Sequence, residues 1–175
     1  MSDVPEGIAG YLTVTKRHEM PVTSLASPPS AAVDPAFFKL LADSYEKTTG
    51  KRLVSQCQDA AWLYSDAPFA VLAHNTAADP VFVYANRTAQ RCFEYGWDEF
   101  ITIPSRLSAE APNREERQRL LDAVAKHGFI DNYRGLRIAK SGRRFWIEGG
   151  IVWELTDAQG QRRGQAALFT SWTDV

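Results

Sequence analysis

The sequence is poor in the residues that build metal sites and disulfide frameworks. It contains only two cysteines, Cys57 and Cys92, and three histidines, and none of them stand in ligand spacing. This usage favours a reduced compartment and argues against a metal. The sequence also lacks an apolar run of the roughly 18 residues that a membrane helix needs, and its first residues do not resemble a signal peptide. We therefore expect a cytoplasmic protein without membrane contact.

An excess of charge of one sign is missing as well. The 20 Lys+Arg residues nearly balance the 21 Asp+Glu residues, which leaves a formal net charge of -1. Such a chain has no global field with which to attract a polyanion, so nucleic acid is not an expected partner. Neither a Gly-x-Ser-x-Gly elbow nor a Gly-rich phosphate loop occurs in the sequence. Without a recognisable nucleophile, metal site or acid-base pair, the protein is not expected to be an enzyme.

Composition divides the chain into two parts. Residues 1–33 are rich in Pro, Ser, Ala and Thr and have no periodicity long enough to pack, which predicts a flexible arm. Residues 34–175 can bury one substantial core and are predicted to form a single domain that begins with a helical extension, 34–66. Asp34 and the proline after it are typical of a helix start, and Gly50 is typical of a helix end.

The apolar stripe of this first helix needs a partner surface. It is predicted to cover either the outer face of a sheet or a second copy of the chain. The second alternative, together with tryptophans expected on the outward side of the sheet, leads us to predict a homodimer.

Five segments have the length and composition of strands. FAVLAHN and VFVYAN are joined by a short polar turn that contains Pro80, which predicts a hairpin. A block of short helices and one longer helix ending at Gly128 follows. The period then changes to two in IDNYRGLRIA, RRFWIEGGIVWEL and GQAALFTSWTDV, which predicts three antiparallel strands. In the middle one, a common core-facing side is predicted for Phe145, Ile147, Ile151, Trp153 and Leu155.

This order of elements resembles a PAS domain, an α+β fold whose five-stranded antiparallel sheet carries a helical block on one face. The similarity extends to the PAS-like MEKHLA domain family over residues 34–175. The segments that carry it are WLY (62–64), LAHN (72–75), DPVFVYAN (79–86), PSRLSAE (104–110), YRGLRI (133–138), GRRFWI (142–147) and GQAALF (164–169).

The family occurs as free-standing bacterial proteins, the type that this chain resembles. It also forms the C-terminal module of plant class III homeodomain leucine zipper proteins, where a ligand-sensing or regulatory role is proposed. The resemblance implies a non-enzymatic sensory module that holds a small molecule between sheet and helices. Its signal would leave through a downstream protein that the sequence does not identify.

A flavin-binding branch of PAS domains, the light-oxygen-voltage domains, offers a test of the segment 104–108. There, a cysteine attacks the flavin ring and an adjacent arginine meets the flavin phosphate. Ser105 replaces the cysteine, and a hydroxyl ionises far less readily than a thiol, so a flavin-cysteinyl adduct is excluded. Arg106 is retained, which implies contact with an anionic ligand group. An ion pair with Glu110 or Glu99 is the alternative.

Further candidate residues surround the expected cavity. Arg106 and Ser108 are predicted to lie on one wall. His74 ends the first strand and could donate into the cavity or bond a neighbouring backbone group, and a single histidine argues against haem. Tyr133 and Arg137 share one side of their strand and, with Trp153 on the next strand, would form an aromatic-walled pocket with a converging polar group.

Two strand orientations stay open at this level. The strand of Tyr133 and Arg137 could instead turn Leu136 and Ile138 inward. In the last strand, Gln165, Ala167 and Phe169 compete for the inner face with Ala166, Leu168 and Trp172. On the long helix, the arginines at 114, 117 and 119 interleave with Glu115 and Glu116, which predicts a solvated face.

Two functions follow from these features. The first is a ligand-binding sensor for a small acidic or aromatic molecule, which a cavity on the order of a few hundred Å³ would favour. The second is a ligand-free interaction or dimerisation module that uses Trp146 and Trp172 on the outer sheet face, which exposed tryptophans would favour.

Overall fold

The computed structural model describes residues 27–175. Five α-helices occur in this range: α1 (Pro35–Thr49), α2 (Ala60–Ser65), α3 (Arg87–Phe93), α4 (Trp97–Phe100) and α5 (Arg114–His127). The strands are β1 (Ala70–His74), β2 (Phe82–Ala85), β3 (Phe129–Ile138), β4 (Arg144–Thr156), β5 (Arg162–Phe169) and β6 (Ser171–Asp174). Short 3₁₀ turns cover Ser30–Val33, Ser105–Ser108 and Ala111–Asn113. No helix within residues 27–175 combines the length and the apolar character needed to cross a bilayer.

The first helix begins and ends where the sequence predicts. The Asp34 carboxylate accepts a hydrogen bond of 3.0 Å from the Ala36 amide, and Gly50 ends the helix in the left-handed region at φ 71°. Ser30–Val33, which composition assigns to the arm, forms a 3₁₀ turn whose Ala32 is buried in the core. The rest of the predicted arm, residues 1–26, lies outside the described residues.

The strands form one antiparallel sheet in the order β2-β1-β5-β4-β3. The predicted hairpin is β1 and β2, and the predicted last strand is interrupted at Thr170 into β5 and β6. Both pieces pair with β4, β6 along residues 145–148 and β5 along 151–156. The predicted α+β fold, with five sheet positions and helices packed on the sheet, is confirmed.

Helix α1 covers the outer face of the sheet. Tyr45 packs edge-on against Trp153 with 5.0 Å between ring centroids, and Leu41 is fully buried in the same cluster. The Ser44 hydroxyl donates to the Thr156 carbonyl and accepts from the Thr156 amide, both at 3.0 Å. The apolar stripe of α1 therefore lies against the sheet of its own chain, which is the first of the two predicted alternatives.

A bulge in β4 divides its side chains between the two faces of the sheet. Gly149 has φ 63°, a conformation that costs glycine little, and the pairing of β4 with β3 shifts register beside it. On one side of the bulge, Phe145 and Ile147 pack in the inner cluster with α3 and α4. Beyond it, Trp153 and Leu155 pack in the outer cluster with α1. The prediction of one common face for these residues is therefore wrong.

Replacement of Leu41 by alanine tests the packing of α1. Because this side chain is fully buried against the sheet, we expect Leu41→Ala to lower the free energy of unfolding by about 2–5 kcal/mol. Lys47→Ala, an exposed change in the last turn of the same helix, should lower it by less than about 1 kcal/mol. Chemical denaturation followed by circular dichroism measures both. Equal, small effects of the two changes would contradict the docking of α1.

Candidate functional site

A cavity lies between the inner face of the sheet and helix α5. Its volume is about 50 Å³, which is room for a few water molecules or a small polar group. Most of its lining is apolar and comes from strands of the sheet, from α3 and from α5. The apolar side chains include Leu72, Phe82, Phe93, Ile147 and Phe169. The polar side chains that converge on this volume are those of His74, Ser108, Arg117, Tyr133, Arg137 and Gln165.

Helix α5 brings an arginine to the cavity rather than to solvent. Arg117 is 8% exposed, and Leu120, Leu121 and Val124 follow it at helical spacing on the side that faces the sheet. The prediction of a solvated arginine face is therefore wrong at this position, although Arg119 is exposed. Among the described residues, no hydrogen bond or ion pair engages the Arg117 side chain.

Strand β3 brings a second arginine to the same place. Arg137 is 7% exposed and donates to the Leu136 carbonyl at 2.6 Å and to the Tyr133 hydroxyl. The Tyr133 ring lies over Gly135, where any side chain would overlap its hydroxyl. Tyr133 and Arg137 both line the cavity. Of the two orientations that the sequence left open for this strand, the structure therefore has the one with these two side chains inward.

The guanidinium group of Arg137 lies close enough to perturb that of Arg117. Burial, and then the charge of Arg137, lowers the pKa of Arg117 to about 10, and burial also lowers the pKa of Arg137. The ion pairs found within residues 27–175 involve other cations. Glu116 is near enough to favour the charged form of Arg137 but forms no ion pair with it. The cavity wall thus holds two desolvated positive charges without a bonded carboxylate.

His74 and Gln165 face each other across β1 and β5, whose register pairs them directly. The His74 Nδ1 lies 2.9 Å from the Asn75 carbonyl, which can only accept, so this nitrogen carries the proton and Nε2 is an acceptor. The Gln165 Nε2 donates to the Leu121 carbonyl at 2.9 Å and to the Glu154 carboxylate at 3.0 Å. Both His74 Nε2 and Gln165 Oε1 are buried without a partner among the described residues.

The 3₁₀ turn Ser105–Ser108 divides its side chains between cavity and solvent. Ser108 lines the cavity and donates to the Ser105 carbonyl at 2.7 Å. Arg106 points outward, where its Nε bonds the Asp79 carboxylate at 3.1 Å and its side chain is 49% exposed. The prediction that Arg106 turns inward is therefore wrong, and neither Glu110 nor Glu99 is its partner.

Two tryptophan predictions also need correction. Trp153 is fully buried, but it packs against Tyr45 on the outer side of the sheet, so it does not line the cavity. Trp172 turns inward against Phe169, because the interruption at Thr170 changes the alternation of the last strand. Trp146 does lie on the outer side, where the Arg134 guanidinium covers its ring at 3.8 Å from the centroid.

The residues present do not fit a flavin or a haem. The cavity is smaller than the roughly 150 Å³ space that holds a single benzene ring. Ser105 is fully buried, and the arginine expected at a flavin phosphate bonds Asp79 on the surface. No group of three or more His, Cys, Asp or Glu side chains suited to a metal ion occurs in residues 27–175.

Sequence reasoning missed Arg117 and Gln165, and each had a readable signal. Arg117 precedes Leu120, Leu121 and Val124 at the i, i+3, i+4 and i+7 positions of one helix face. Gln165 alternates with Ala167 and Phe169, one of the two faces that the sequence left open, and this is the face that lines the cavity. In both cases the polar side chain shares its periodicity with core residues.

Comparison with protein families gives one match that spans most of the chain. The MEKHLA domain model matches residues 35–174. No curated protein is similar enough in sequence to serve as a relative.

Solved structures support the same fold. The PAS domain of a protein from Colwellia psychrerythraea matches with a TM-score of 0.55 and 16% identity over 66% of this chain and 92% of that one. An RNA-binding light-oxygen-voltage receptor matches with a TM-score of 0.55 and 21% identity over 73% of this chain. The match spans only 37% of that receptor. At these identities the likeness establishes the PAS fold alone.

The buried His74 makes stability depend on pH. Burial first, with the charges of Arg117 and Arg162 adding to it, lowers the pKa of His74 from 6.5 to about 4. As the pH falls below 6.5, His74 becomes protonated in the unfolded chain but stays neutral in the folded chain. The free energy of unfolding therefore falls. We expect this one group to remove about 2 kcal/mol between pH 7.5 and pH 5.

Urea denaturation at a series of pH values measures this dependence. His74→Gln should flatten the slope between pH 7.5 and pH 5, whereas His127→Gln, which changes an exposed histidine at the end of α5, should leave it unchanged. A wild-type slope that His74→Gln does not reduce would contradict the burial of a neutral imidazole.

Proposed function

The chain belongs to the MEKHLA domain family, and on that premise we propose that it is a non-enzymatic sensory module that binds a small carboxylic acid in the cavity beneath α5 and signals through a protein partner. The observation that supports this proposal is the pair of buried guanidinium groups of Arg117 and Arg137, which have no bonded carboxylate among residues 27–175. The cavity lies between sheet and helices, where the family resemblance implies a bound small molecule, and both charged side chains that line it are arginines.

A physical argument connects these arginines to an anion. A buried charge without a partner costs several kcal/mol, and one arginine against another adds repulsion. A carboxylate offers two oxygens to the planar donors of a guanidinium, so one bound anion would relieve both penalties. The apolar lining and the small volume support a short organic acid over a multiply charged anion, whose desolvation costs more.

The competing proposal, a ligand-free interaction module, finds less support. Exposed tryptophan side chains on the outer sheet face would favour an interaction module. Trp146 is instead half-buried beneath the Arg134 guanidinium, and Trp172 packs against Phe169. The large hydrophobic side chains that are exposed among the described residues are Val83, Leu107 and Val175, which lie on separate elements. The ligand proposal also needs adjustment, because a cavity of about 50 Å³ requires a smaller ligand than expected.

Association as a homodimer stays a prediction. The apolar stripe of α1 that motivated it packs on the sheet of the same chain, so a dimer would have to use other surfaces. Light scattering at micromolar concentration checks it directly, and a mass near the 19.6 kDa of one chain would contradict it. The proposal includes a downstream protein, but no residue of this chain identifies that protein.

Replacement of Arg117 by methionine tests the proposed function. Methionine keeps the length of the side chain but removes the charge, so we expect binding of glycolate and acetate to weaken by about 10-fold to 100-fold, the scale of a charge-assisted hydrogen bond. The same change should leave the free energy of unfolding unchanged or raise it by up to about 3 kcal/mol, because an unpaired buried cation is lost. NMR titration and urea denaturation measure the two effects.

Arg119→Met is the matched control, since Arg119 is an exposed arginine on the same helix. It should alter neither binding nor stability appreciably. If Arg117→Met lowers stability and no carboxylate binds the wild-type protein, Arg117 is a structural residue and the proposed function is wrong. Mass spectrometry of the gently purified protein supplies an independent readout, with a copurified organic acid expected.

A further inference from the structure

The cavity is lined by hydrogen-bond acceptors as well as by the two arginines, which donate. His74 Nε2 and Gln165 Oε1 are both hydrogen-bond acceptors, both are buried, and neither has a partner within residues 27–175. They lie on directly paired residues of β1 and β5, so their side chains are cross-strand neighbours on the inner face. Two unpaired acceptors side by side cannot satisfy each other, and each costs about as much as a lost hydrogen bond.

The roles of these two atoms are fixed by the bonds that their neighbours make. Only the protonated Nδ1 of His74 can bond the Asn75 carbonyl, and only the amide nitrogen of Gln165 can donate to both the Leu121 carbonyl and the Glu154 carboxylate. Rotation of the glutamine amide would break both of its bonds. The remaining atoms therefore accept, and a ligand that reaches them must donate.

A neutral donor fits these acceptors better than a cationic one. His74 shares the cavity with Arg117 and Arg137, and the charges of Arg117 and Arg162 add to the effect of burial in opposing protonation of its ring. The same potential would repel an ammonium group placed beside the ring, since the Glu154 carboxylate that bonds Gln165 is already neutralised by an ion pair with Arg162. A hydroxyl donates one hydrogen bond without a positive charge, so it can pair one of the two acceptors.

We infer that the ligand is a short hydroxycarboxylic acid, with its carboxylate at Arg117 and Arg137 and its hydroxyl beside His74 and Gln165, where it donates to one of the two acceptors. This inference rests on the proposed function, because it names the class of acid that the arginines bind. The volume of about 50 Å³ favours the smallest members of this class, so glycolate is the probe of choice.

The test compares three acids of the same carbon skeleton by NMR titration of the wild-type protein. Glycolate, acetate and glycine differ only in a hydroxyl, a hydrogen or an ammonium group on the second carbon. We expect glycolate to bind about tenfold or more tightly than acetate, because glycolate pairs one of the acceptors and acetate pairs neither, and glycine to bind more weakly than glycolate. Inorganic phosphate, an anion without the carbon skeleton, should bind more weakly than glycolate.

His74→Phe isolates the acceptor end of the site. The ring stays in place of the imidazole while the acceptor is lost, so the preference for glycolate over acetate should shrink to about twofold, with acetate binding itself retained. His127→Phe changes an exposed histidine and should leave the preference intact.

The outcomes separate the two proposals. Acetate and glycolate binding equally to the wild-type protein would overturn the hydroxy acid inference and leave the proposed function standing. A preference for glycine or phosphate over glycolate would overturn the inference as well. Absence of binding by every carboxylate would overturn the proposed function itself. The wild-type comparison decides the question even if His74→Phe does not fold.

Discussion

The structure depends on one constraint, which is that two guanidinium groups, one from α5 and one from β3, are held out of water at a small cavity. Burial of an unpaired charge costs several kcal/mol, so the elements that hold the arginines must be anchored by contacts of their own. Helix α5 has such contacts in the fully buried Val124 and in the bond from Gln165 to the Leu121 carbonyl. Strand β3 has them in its pairing with β4 and in the stacking of Tyr133 over Gly135. The apolar core thus supports an arrangement that is electrostatically unfavourable in itself.

The bulge at Gly149 lets one sheet serve two purposes. It changes which residues of β4 face inward, so Val152 lines the cavity while Trp153 packs under α1. Without the extra residue, alternation would continue from Ile147 and turn Trp153 toward the cavity. The large indole would then occupy the space beside the arginines. A single residue with positive φ therefore keeps the inner face open and supplies the outer face with its largest side chain.

Local chemistry made much of the fold predictable. The caps of α1 at Asp34 and Gly50 depend on residues adjacent in sequence, and they were predicted correctly. The site was harder to predict, because its contacts are distant in the chain. Arg106 pairs with Asp79, 27 residues away, and no periodicity reports such a pair. The helical pattern places Arg117 on the core face of α5, but its charge favours solvent, and the pattern proves the better guide because the side chain is buried at the cavity.

The same contacts suggest how occupancy of the cavity could reach the surface. A ligand shifts an equilibrium only by its difference in affinity between two states, so it must bridge parts that move relative to each other. An anion bound by Arg117 and Arg137 would join α5 to β3, whereas the Gln165 side chain already bonds the backbone of α5 to the cavity face of β5. Strand β4 lies between β3 and β5, and its far end is bonded to α1 through Ser44. Hydrogen bonds therefore connect α5 through Gln165, the β5–β4 pairing and Ser44 to the helix on the opposite face of the sheet.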